Sequence, residues 1–446
     1  MTKKFKENFI FGAATASYQI EGAAAEDGRS PSTWDVFCKT PGKVYGGHNG
    51  DIACDHYHRY KEDVELMAGI GINAYRFSIS WSRIFPEKDK YNPKGMEFYK
   101  KLINELNEKG IKPVVTLYHW DLPVWAYEMG GWLNRDSVKW FKEYVVKVFE
   151  ELNDSVKLWI THNEPFCASF LSYYEGFHAP GHKNLREALI AAHHILLSHG
   201  VAVEEFRKFN FKDSKIGITL NLTPSYPASS SKEDVEAASR SDGYSIRWFL
   251  DPVFRASYPE DMKEVYSEFV GEFDFIKGGD LQRISIKSDF LGVNYYSREL
   301  IEFSQDLELN FRKTHGNFER TEMDWEIVPE SLYDIIIRLR KEYTRIPIYI
   351  TENGAAFNDR VSKDGKVNDN KRIDYLRKHL KKVVELNSKG ADIRGYFLWS
   401  LMDNFEWANG YSKRFGVVFV DYETQERILK DSAIWYKDLI KKRIIE

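Results

Sequence analysis

The sequence predicts an α/β fold in which eight parallel strands alternate with helices and close into a single-domain barrel. Three observations indicate this class. Short apolar runs that end in polar residues recur along the chain, stretches with helical periodicity separate them, and several of those stretches end at a glycine. Eight repeats of one strand and one helix close a (β/α)8 barrel, the TIM-barrel architecture.

Each predicted strand is a run of β-branched, aromatic and other apolar residues. Parallel barrel strands are covered by side chains inside and by helices outside, so continuous apolar runs are expected. The predicted strands comprise residues 9–16, 74–80, 113–118, 157–162, 215–221, 290–295, 347–352 and 395–401.

The predicted helices lie between these strands. Gly69, Gly110 and Gly390 are predicted to close helices, because glycine readily adopts the left-handed conformation of a C-terminal cap. Ser231 is predicted to cap a helix that begins near Lys232. The main predicted helices comprise residues 57–69, 94–109, 137–151, 185–209, 329–341 and 369–388.

The chain of 446 residues is longer than a typical barrel, and no linker or low-complexity tract divides it. One catalytic domain over residues 1–446 is therefore the simplest interpretation. The surplus lies in loops, and long loops at the carboxyl ends of the strands are expected to deepen a pocket there. These loops comprise residues 28–55, 165–184, 297–328 and 403–418.

Charge and apolar patterning exclude several classes of partner. The 63 basic and 67 acidic residues leave a net charge of −4, which provides no basic field for nucleic acid or for an anionic membrane surface. No apolar run is long enough to cross a bilayer. Residues 9–16 follow three lysines, but the run is short for a signal peptide, so we interpret it as a strand. The expected partner is an uncharged small molecule, and the oligomeric state stays open.

Cysteine and histidine usage gives no metal or cofactor motif. Cys38, Cys54 and Cys167 are an odd number without metal-site spacing, and we expect free thiols in a cytoplasmic protein. His56 with His58, and His193 with His194, point to diverging sides of their helices, which favours structural roles over metal binding. We expect neither a metal nor a cofactor.

Two of the predicted strands place a glutamate at or just after their carboxyl end. Glu164 follows the fourth strand, and Glu352 ends the seventh. Because the carboxyl ends of barrel strands form the active sites of this fold, we expect both carboxylates to face one cleft. A carboxylate pair is what hydrolysis of a glycosidic acetal requires. The alternative for each glutamate alone is structural, as an acceptor for the donors of a turn.

Arg76 gives the two carboxylates a reason to ionise differently. Pointing inward from the second strand, its charge would lower the pKa of one carboxyl and keep that group an ionised nucleophile. At ~5 Å and an effective dielectric constant of ~20, repulsion of ~3 kcal/mol would raise the pKa of the other carboxyl by ~2 units. That second group would remain a protonated general acid, and retention requires the two carboxyls to lie about 5 to 5.5 Å apart.

The chain resembles glycoside hydrolase family 1, the β-glucosidase family, over nearly its whole length, and four motifs carry this resemblance. They are the run from Phe11 to Gly22, Thr-His-Asn-Glu-Pro at 161–165, Ile-Thr-Glu-Asn-Gly at 350–354, and the run from Trp399 to Trp407. The resemblance implies a retaining β-glycosidase in which Glu164 is the acid/base and Glu352 the nucleophile.

The resemblance also implies a shell around the terminal sugar. Asn294 and Tyr296 resemble the family's contacts to the 2-hydroxyl and to the nucleophile, so Tyr296 joins Arg76 in supporting the nucleophile. Trp399 resembles the floor under the sugar ring, and Trp325 the wall beside the aglycone. The other positions that resemble this shell are Gln19, His119, Trp120, Asn163, Glu406 and Trp407. Without the resemblance, most of these aromatic residues would be interpreted as core packing.

Glu406 separates two branches of the family. The 6-phospho-β-glycosidase branch has serine there and tyrosine at the position of Phe415, and it forms a phosphate site with the lysine that aligns with Lys413. Glu406 would repel a phosphate on carbon six. We therefore expect an unphosphorylated sugar, and we count Phe415 with the substrate-binding residues.

The sequence thus predicts a retaining β-glucosidase acting on terminal non-reducing β-D-glucosyl residues. The expected substrates are cellobiose, cello-oligosaccharides and aryl β-glucosides, with β-galactosides and β-fucosides in addition. Two alternatives stay open. One is a 6-phospho-β-glucosidase, and the other is a non-catalytic sugar-binding relative, which would usually lack one of the carboxylates.

Overall fold

The computed structural model describes residues 3–446, in which eight parallel strands, β1 to β8, form a closed barrel in chain order. Each strand pairs with the next along the chain, and β8 pairs with β1. The predicted barrel is confirmed, and predicted and observed strands agree within two residues at each end. The strands are β1 Ile10–Ala14, β2 Ala74–Ser78, β3 Lys112–Tyr118, β4 Leu158–Asn163, β5 Lys215–Asn221, β6 Phe290–Asn294, β7 Ile348–Asn353 and β8 Ile393–Trp399.

The barrel strands are buried on both faces. Every residue of β1, β2, β4, β6 and β7 is buried, which explains their continuous apolar runs. The early apolar run is the strand that the sequence predicts, because its residues form β1. In the chain from residue 3 onward, no helix is both long enough and apolar enough to cross a membrane.

All six predicted helices are present. The helix predicted at 329–341 becomes a π-helix, Leu339–Tyr343, in its last part. The helices that pack around the barrel are His56–Ile70, Pro93–Glu108, Ser137–Leu152, Leu185–Lys208, Pro329–Arg338, Asn370–Ser388 and Asp431–Lys442, with Lys232–Asp242, Trp248–Arg255, Glu260–Val270 and Asp280–Ile284 between β5 and β6.

One predicted helix end is wrong. The helix that begins at His56 continues through Gly69 to Ile70, and its C-cap is Gly71 with a φ of 85°. The reason is burial, because the extra residues place the side chain of Ile70 in the apolar core.

The other predicted caps agree with the structure. Gly110 and Gly390 follow their helices in the left-handed region, with φ of 70° and 84°. Ser231 accepts a hydrogen bond from the backbone N–H of Asp234, as expected of an N-cap.

The four predicted loops follow β1, β4, β6 and β8. Three of them line the cavity described below, but loop 28–55 contributes none of its known lining residues. The expectation that this loop deepens the pocket directly is therefore wrong. It supports the wall from behind instead, since Trp34 packs on Trp407 with ring centroids 4.6 Å apart.

Candidate active site

A cavity of about 450 Å³ opens at the carboxyl ends of the barrel strands. Glu164, directly after β4, and Glu352, in β7, both line it. The structure therefore brings together the two carboxylates that the sequence predicts to share a cleft. A wider depression of about 660 Å³ on the outer surface contains neither glutamate.

Glu352 is the carboxylate with a cationic partner. Nη1 of Arg76 donates to its Oε1 at 2.6 Å, and the hydroxyl of Tyr296 donates to its Oε2 at 2.6 Å. Burial raises the pKa of Glu352, whereas the guanidinium and the phenol lower it. Because both oxygens accept strong hydrogen bonds, these partners stabilise the ionised form.

Glu164 has neutral partners. Nδ2 of Asn294 donates to its Oε1 at 2.6 Å, and the thiol of Cys167 donates to its Oε2 with Sγ at 3.0 Å. Burial, followed by the charge of Glu352, raises the pKa of Glu164 to about 7. This carboxyl therefore holds its proton more readily than Glu352 does near neutral pH.

Asn163 is hydrogen-bonded to one partner of each carboxylate. Its Oδ1 accepts from Arg76 at 2.6 Å and from Asn294 at 3.0 Å, and its Nδ2 donates to Nε2 of His119 at 2.9 Å. Donation to Nε2 places the proton of the neutral imidazole on Nδ1. Burial lowers the pKa of His119 well below its usual value, which keeps the ring neutral.

Three buried polar atoms of the predicted sugar shell have no protein partner among residues 3–446. They are Oε1 of Gln19, Nδ1 of His119 and Oε2 of Glu406. Nε2 of Gln19 is held by the carbonyl of Phe405 at 2.7 Å. Because buried polar atoms are nearly always hydrogen-bonded, such a set indicates a polar ligand with several hydroxyl groups.

Glu406 is a third carboxyl that lines the cavity with Glu164 and Glu352. Burial, and then the charges of Glu352 and Glu164, raise its pKa to about 8. Lys413 is absent from the known lining and donates to the carbonyl of Glu322 at 2.5 Å.

The predicted aromatic residues line the cavity in two groups. Trp120 and Trp407 have ring centroids 4.5 Å apart. Trp325 lies 5.3 Å from Tyr296, and Phe415 lies 6.1 Å from both. All of these side chains line the cavity, as does Trp399, whereas Gln19, Asn163 and Asn294 are not among the known lining residues.

Three residues that line the cavity have strained backbone conformations. Trp120, Glu164 and Trp407 have positive φ values of 79°, 47° and 46°, and such conformations cost about 1 to 3 kcal/mol each. Gly354 allows the backbone directly after β7 to pass close to that of β8, because a side chain at this position would collide with the carbonyl of Trp399. The surrounding fold therefore fixes these side chains against a local cost.

Several lining residues were missed by sequence reasoning. Lys313 and Glu299, which form an ion pair at 2.5 Å, lie in a hairpin outside the barrel. The hairpin pairs with Ser225–Pro227, a segment distant in sequence, and local patterns do not predict that pairing. Cys167 did carry a signal, because it follows Glu164 by three residues, the spacing at which helical side chains meet.

The other candidate ligands are engaged within the protein. His56 bonds to Asp63 at 2.7 Å, and His193 to Asp280 at 2.9 Å. Within the described part of the chain, no group of three or more histidine, cysteine or acidic side chains could hold a metal ion. All three cysteines are buried and free.

Known proteins are similar to this chain in sequence and in fold. The family model Glycosyl hydrolase family 1 matches residues 1–444. Beta-glucosidase A of Acetivibrio thermocellus is 50% identical over 441 residues, which cover 98% of each chain. The bifunctional beta-D-glucosidase/beta-D-fucosidase of Bifidobacterium breve is 43% identical over 462 residues, with 99% of each chain covered. The crystal structure of the GH1 beta-glucosidase from Exiguobacterium antarcticum B7 matches with a TM-score of 0.97 at 56% identity over 99% of both chains.

Proposed function

The chain belongs to glycosyl hydrolase family 1 and is a β-glucosidase, and we propose that Glu352 and Glu164 carry out its retaining reaction as nucleophile and as acid/base. One observation carries this assignment. Both carboxylates line one cavity, yet among the described residues a guanidinium contacts Glu352 and neutral groups contact Glu164. The ionised group is suited to attack the anomeric carbon, and the protonated one to assist departure of the aglycone.

In the first step, Glu352 attacks the anomeric carbon while Glu164 gives its proton to the glycosidic oxygen. A bond forms between a carboxylate oxygen of Glu352 and the anomeric carbon, and the bond from that carbon to the glycosidic oxygen breaks. The aglycone leaves as an alcohol, and Glu164 is left as a carboxylate.

In the second step, water attacks the glycosyl ester. Glu352 no longer carries a charge, so its repulsion no longer raises the pKa of Glu164, and the Glu164 carboxylate persists long enough to accept a proton from water. The hydroxyl oxygen bonds to the anomeric carbon, the ester bond breaks, and Glu352 is regenerated. Two inversions give net retention.

We assign the terminal sugar to the inner end of the cavity. The unpartnered atoms of Gln19, His119 and Glu406 support this assignment, because a site built to hydrogen-bond hydroxyl groups rejects analogues that lack them. Glu406, whether ionised or protonated, offers no positive charge to a phosphate on carbon six, and Lys413 is not among the known lining residues. The other residues that we assign to substrate binding are Trp120, Asn163, Asn294, Tyr296, Trp325, Trp399, Trp407 and Phe415.

The proposed substrates are cellobiose, cello-oligosaccharides and aryl β-glucosides, which would give the enzyme a part in cellulose degradation. The bifunctional relative supports β-fucosides as additional substrates, and we extend the proposal to β-galactosides.

One catalytic domain over residues 1–446 is supported by an apolar core that runs from Phe5 to Ile445. The free thiols support a cytoplasmic location. Side chains fill both chemical roles, so the proposal includes no metal or cofactor.

The assignment is tested with Glu352→Gly. Hydrolysis of nitrophenyl β-glucoside should fall by at least ~10⁴-fold, because no group remains to form the glycosyl ester. Added azide should restore cleavage by attacking the anomeric carbon from the side that Glu352 occupied. NMR of the product should identify the α-glucosyl azide.

Glu164→Gly is the matched variant. There the ester on Glu352 still forms from an activated aryl glucoside, and azide attacks it from the opposite face. The product should be the β-glucosyl azide. If the two variants gave each other's anomers, the roles of the two glutamates would be exchanged.

A further inference from the structure

The two oxygens of Glu164 have different partners. Nδ2 of Asn294 lies 2.6 Å from Oε1, and Sγ of Cys167 lies 3.0 Å from Oε2. An amide N–H can only donate, whereas a thiol can donate weakly or accept weakly. The pair of contacts therefore makes the two ends of this carboxyl chemically unequal.

A chain of hydrogen bonds fixes the orientation of the Asn294 amide. The guanidinium of Arg76 has no acceptor, so the atom of Asn163 that faces it must be the carbonyl oxygen. That oxygen also faces Asn294 at 3.0 Å, so the facing atom of Asn294 must be its nitrogen. The hydroxyl of Thr351 completes the pattern by donating to Oδ1 of Asn294 at 2.7 Å.

Asn294 consequently donates to Oε1 of Glu164 whether or not that carboxyl is protonated. An oxygen that already receives an N–H hydrogen at 2.6 Å is a poor place for a second hydrogen. The remaining oxygen, Oε2, faces the thiol, which tolerates a hydrogen on either side of the contact.

We propose that the acid proton of Glu164 resides on Oε2 and that Cys167 is the positioning residue for it. The inference rests on the proposed role of Glu164 as acid/base. The thiol accepts from the protonated carboxyl before proton transfer and donates to the carboxylate afterwards. Cys167 keeps its own proton throughout, since burial and the neighbouring Glu164 raise the pKa of the thiol well above its usual value.

Other ionisable groups also act on Glu164, and none of them is altered by changing the thiol. Glu352 from β7 raises the pKa of Glu164, and Arg76 from β2 lowers it. Glu406, from the loop after β8, also interacts with Glu164, whose charge raises the pKa of Glu406. Burial, followed by the charges of Glu352 and Glu164, raises the pKa of Tyr296 well above its usual value. A change of Cys167 therefore tests one contact against a constant background.

The test compares Cys167→Val with Cys167→Ser in the pH dependence of kcat/KM on cellobiose. Valine fills the site but cannot donate, so the carboxylate loses a partner and the basic limb should move up by about half a pKa unit. Serine is a stronger donor than cysteine, so the basic limb should move down by a similar amount. The plateau of kcat/KM should change by no more than ~3-fold, because the reacting groups remain.

Ser172→Ala is the matched control, because Ser172 lies with Cys167 on the π-helix Cys167–Tyr174. Its hydroxyl donates to the carbonyl of Cys167 at 2.9 Å and has no recorded contact with either catalytic carboxylate, so the basic limb should not move. Opposite shifts for valine and serine with a stationary control support the proposal. Shifts of one sign, no shift, or an equal shift in the control overturn it. If the valine variant does not fold, the direction of the serine shift alone decides.

A separate measurement distinguishes failure of this inference from failure of the proposed function. With Glu164→Ala and a dinitrophenyl β-glucoside, which needs no acid assistance, the basic limb should disappear. Persistence of that limb would remove Glu164 from the acid/base role. If the limb disappears in Glu164→Ala but the Cys167 variants keep the basic limb at the same pH as the parent enzyme, only the proposed role of the thiol is overturned.

Discussion

The inner and outer ends of the cavity are built in different ways. At the inner end, Arg76, Glu164 and Glu352 come from the strands or strand ends of the barrel, and none is more than 5% exposed. At the outer end, Phe177 is 62% exposed and the side chain of Lys313 is 58% exposed. Charge is thus stabilised where the geometry is fixed and the side chains are buried, and the proposed site of the leaving group lies where side chains can adjust.

The inner end also has an unusual balance of charge. Glu164, Glu352 and Glu406 share one buried space, and Arg76 is the cation in contact with one of them. The pKa of Glu164 is raised to about 7 and that of Glu406 to about 8, so near neutral pH both hold protons to a large extent. The ionised form is stabilised most strongly at Glu352, the carboxylate that Arg76 contacts, and this is the charge that the proposed attack requires.

Among the variants proposed to test this comparison, Arg76→Met should have the largest effect, because it removes the cation at the inner end of the cavity. Removing one member of a buried ion pair costs about 3 to 5 kcal/mol of folding stability. Because Glu352 also loses the cation that stabilises its ionised form, we expect kcat/KM to fall by about 1,000-fold, which corresponds to about 4 kcal/mol of activation free energy. Loss of the cation also raises the pKa of Glu352, so the acid limb of the pH profile should move upward. Steady-state kinetics on nitrophenyl β-glucoside across pH would measure both effects.

Arg83→Met is the matched control for that variant. Arg83 is also fully buried and is paired with a glutamate, Glu21, at 3.1 Å, but neither residue is among the known lining of the cavity. The control should lose stability without moving the acid limb. Equal movement of the limb in both variants would show that general destabilisation, and not the contact with Glu352, sets the pKa of the nucleophile.

The two ends of the cavity also differ in how far the sequence predicts them. Glu164 and Glu352 were predictable because a short apolar run with a polar end is a local pattern, and the closed barrel then brings strand ends together. Lys313 was not, because it reaches the cavity through a hairpin whose first strand pairs with Ser225–Pro227, a segment distant in sequence. The role of loop 28–55 was missed for the same reason, since loop length does not determine where a loop packs.

The second prediction uses leaving groups to separate the two ends. Because the pKa of Glu164 is raised to about 7 and its protonated form assists departure, kcat/KM on cellobiose should fall as the pH rises through that value. The fall should approach about tenfold per pH unit at higher pH. A dinitrophenyl β-glucoside enters the same outer end but leaves without a proton, so its basic limb should be much shallower. Parallel profiles for the two substrates would contradict a general acid at this position.

The smallest expected effect belongs to the outer end. Phe177 lines the mouth of the cavity yet is largely exposed, so Phe177→Ala should raise KM for aryl β-glucosides by only ~3-fold and leave kcat unchanged. The free energy of unfolding should change by less than about 0.5 kcal/mol, as for most surface substitutions. Phe269→Ala is a matched control, because Phe269 is 45% exposed and is not among the known lining residues. If Phe177→Ala lowered kcat by tenfold or more while the control did not, the outer end would be positioning the leaving group in the transition state, and the division between a rigid inner end and an adaptable outer end would not hold.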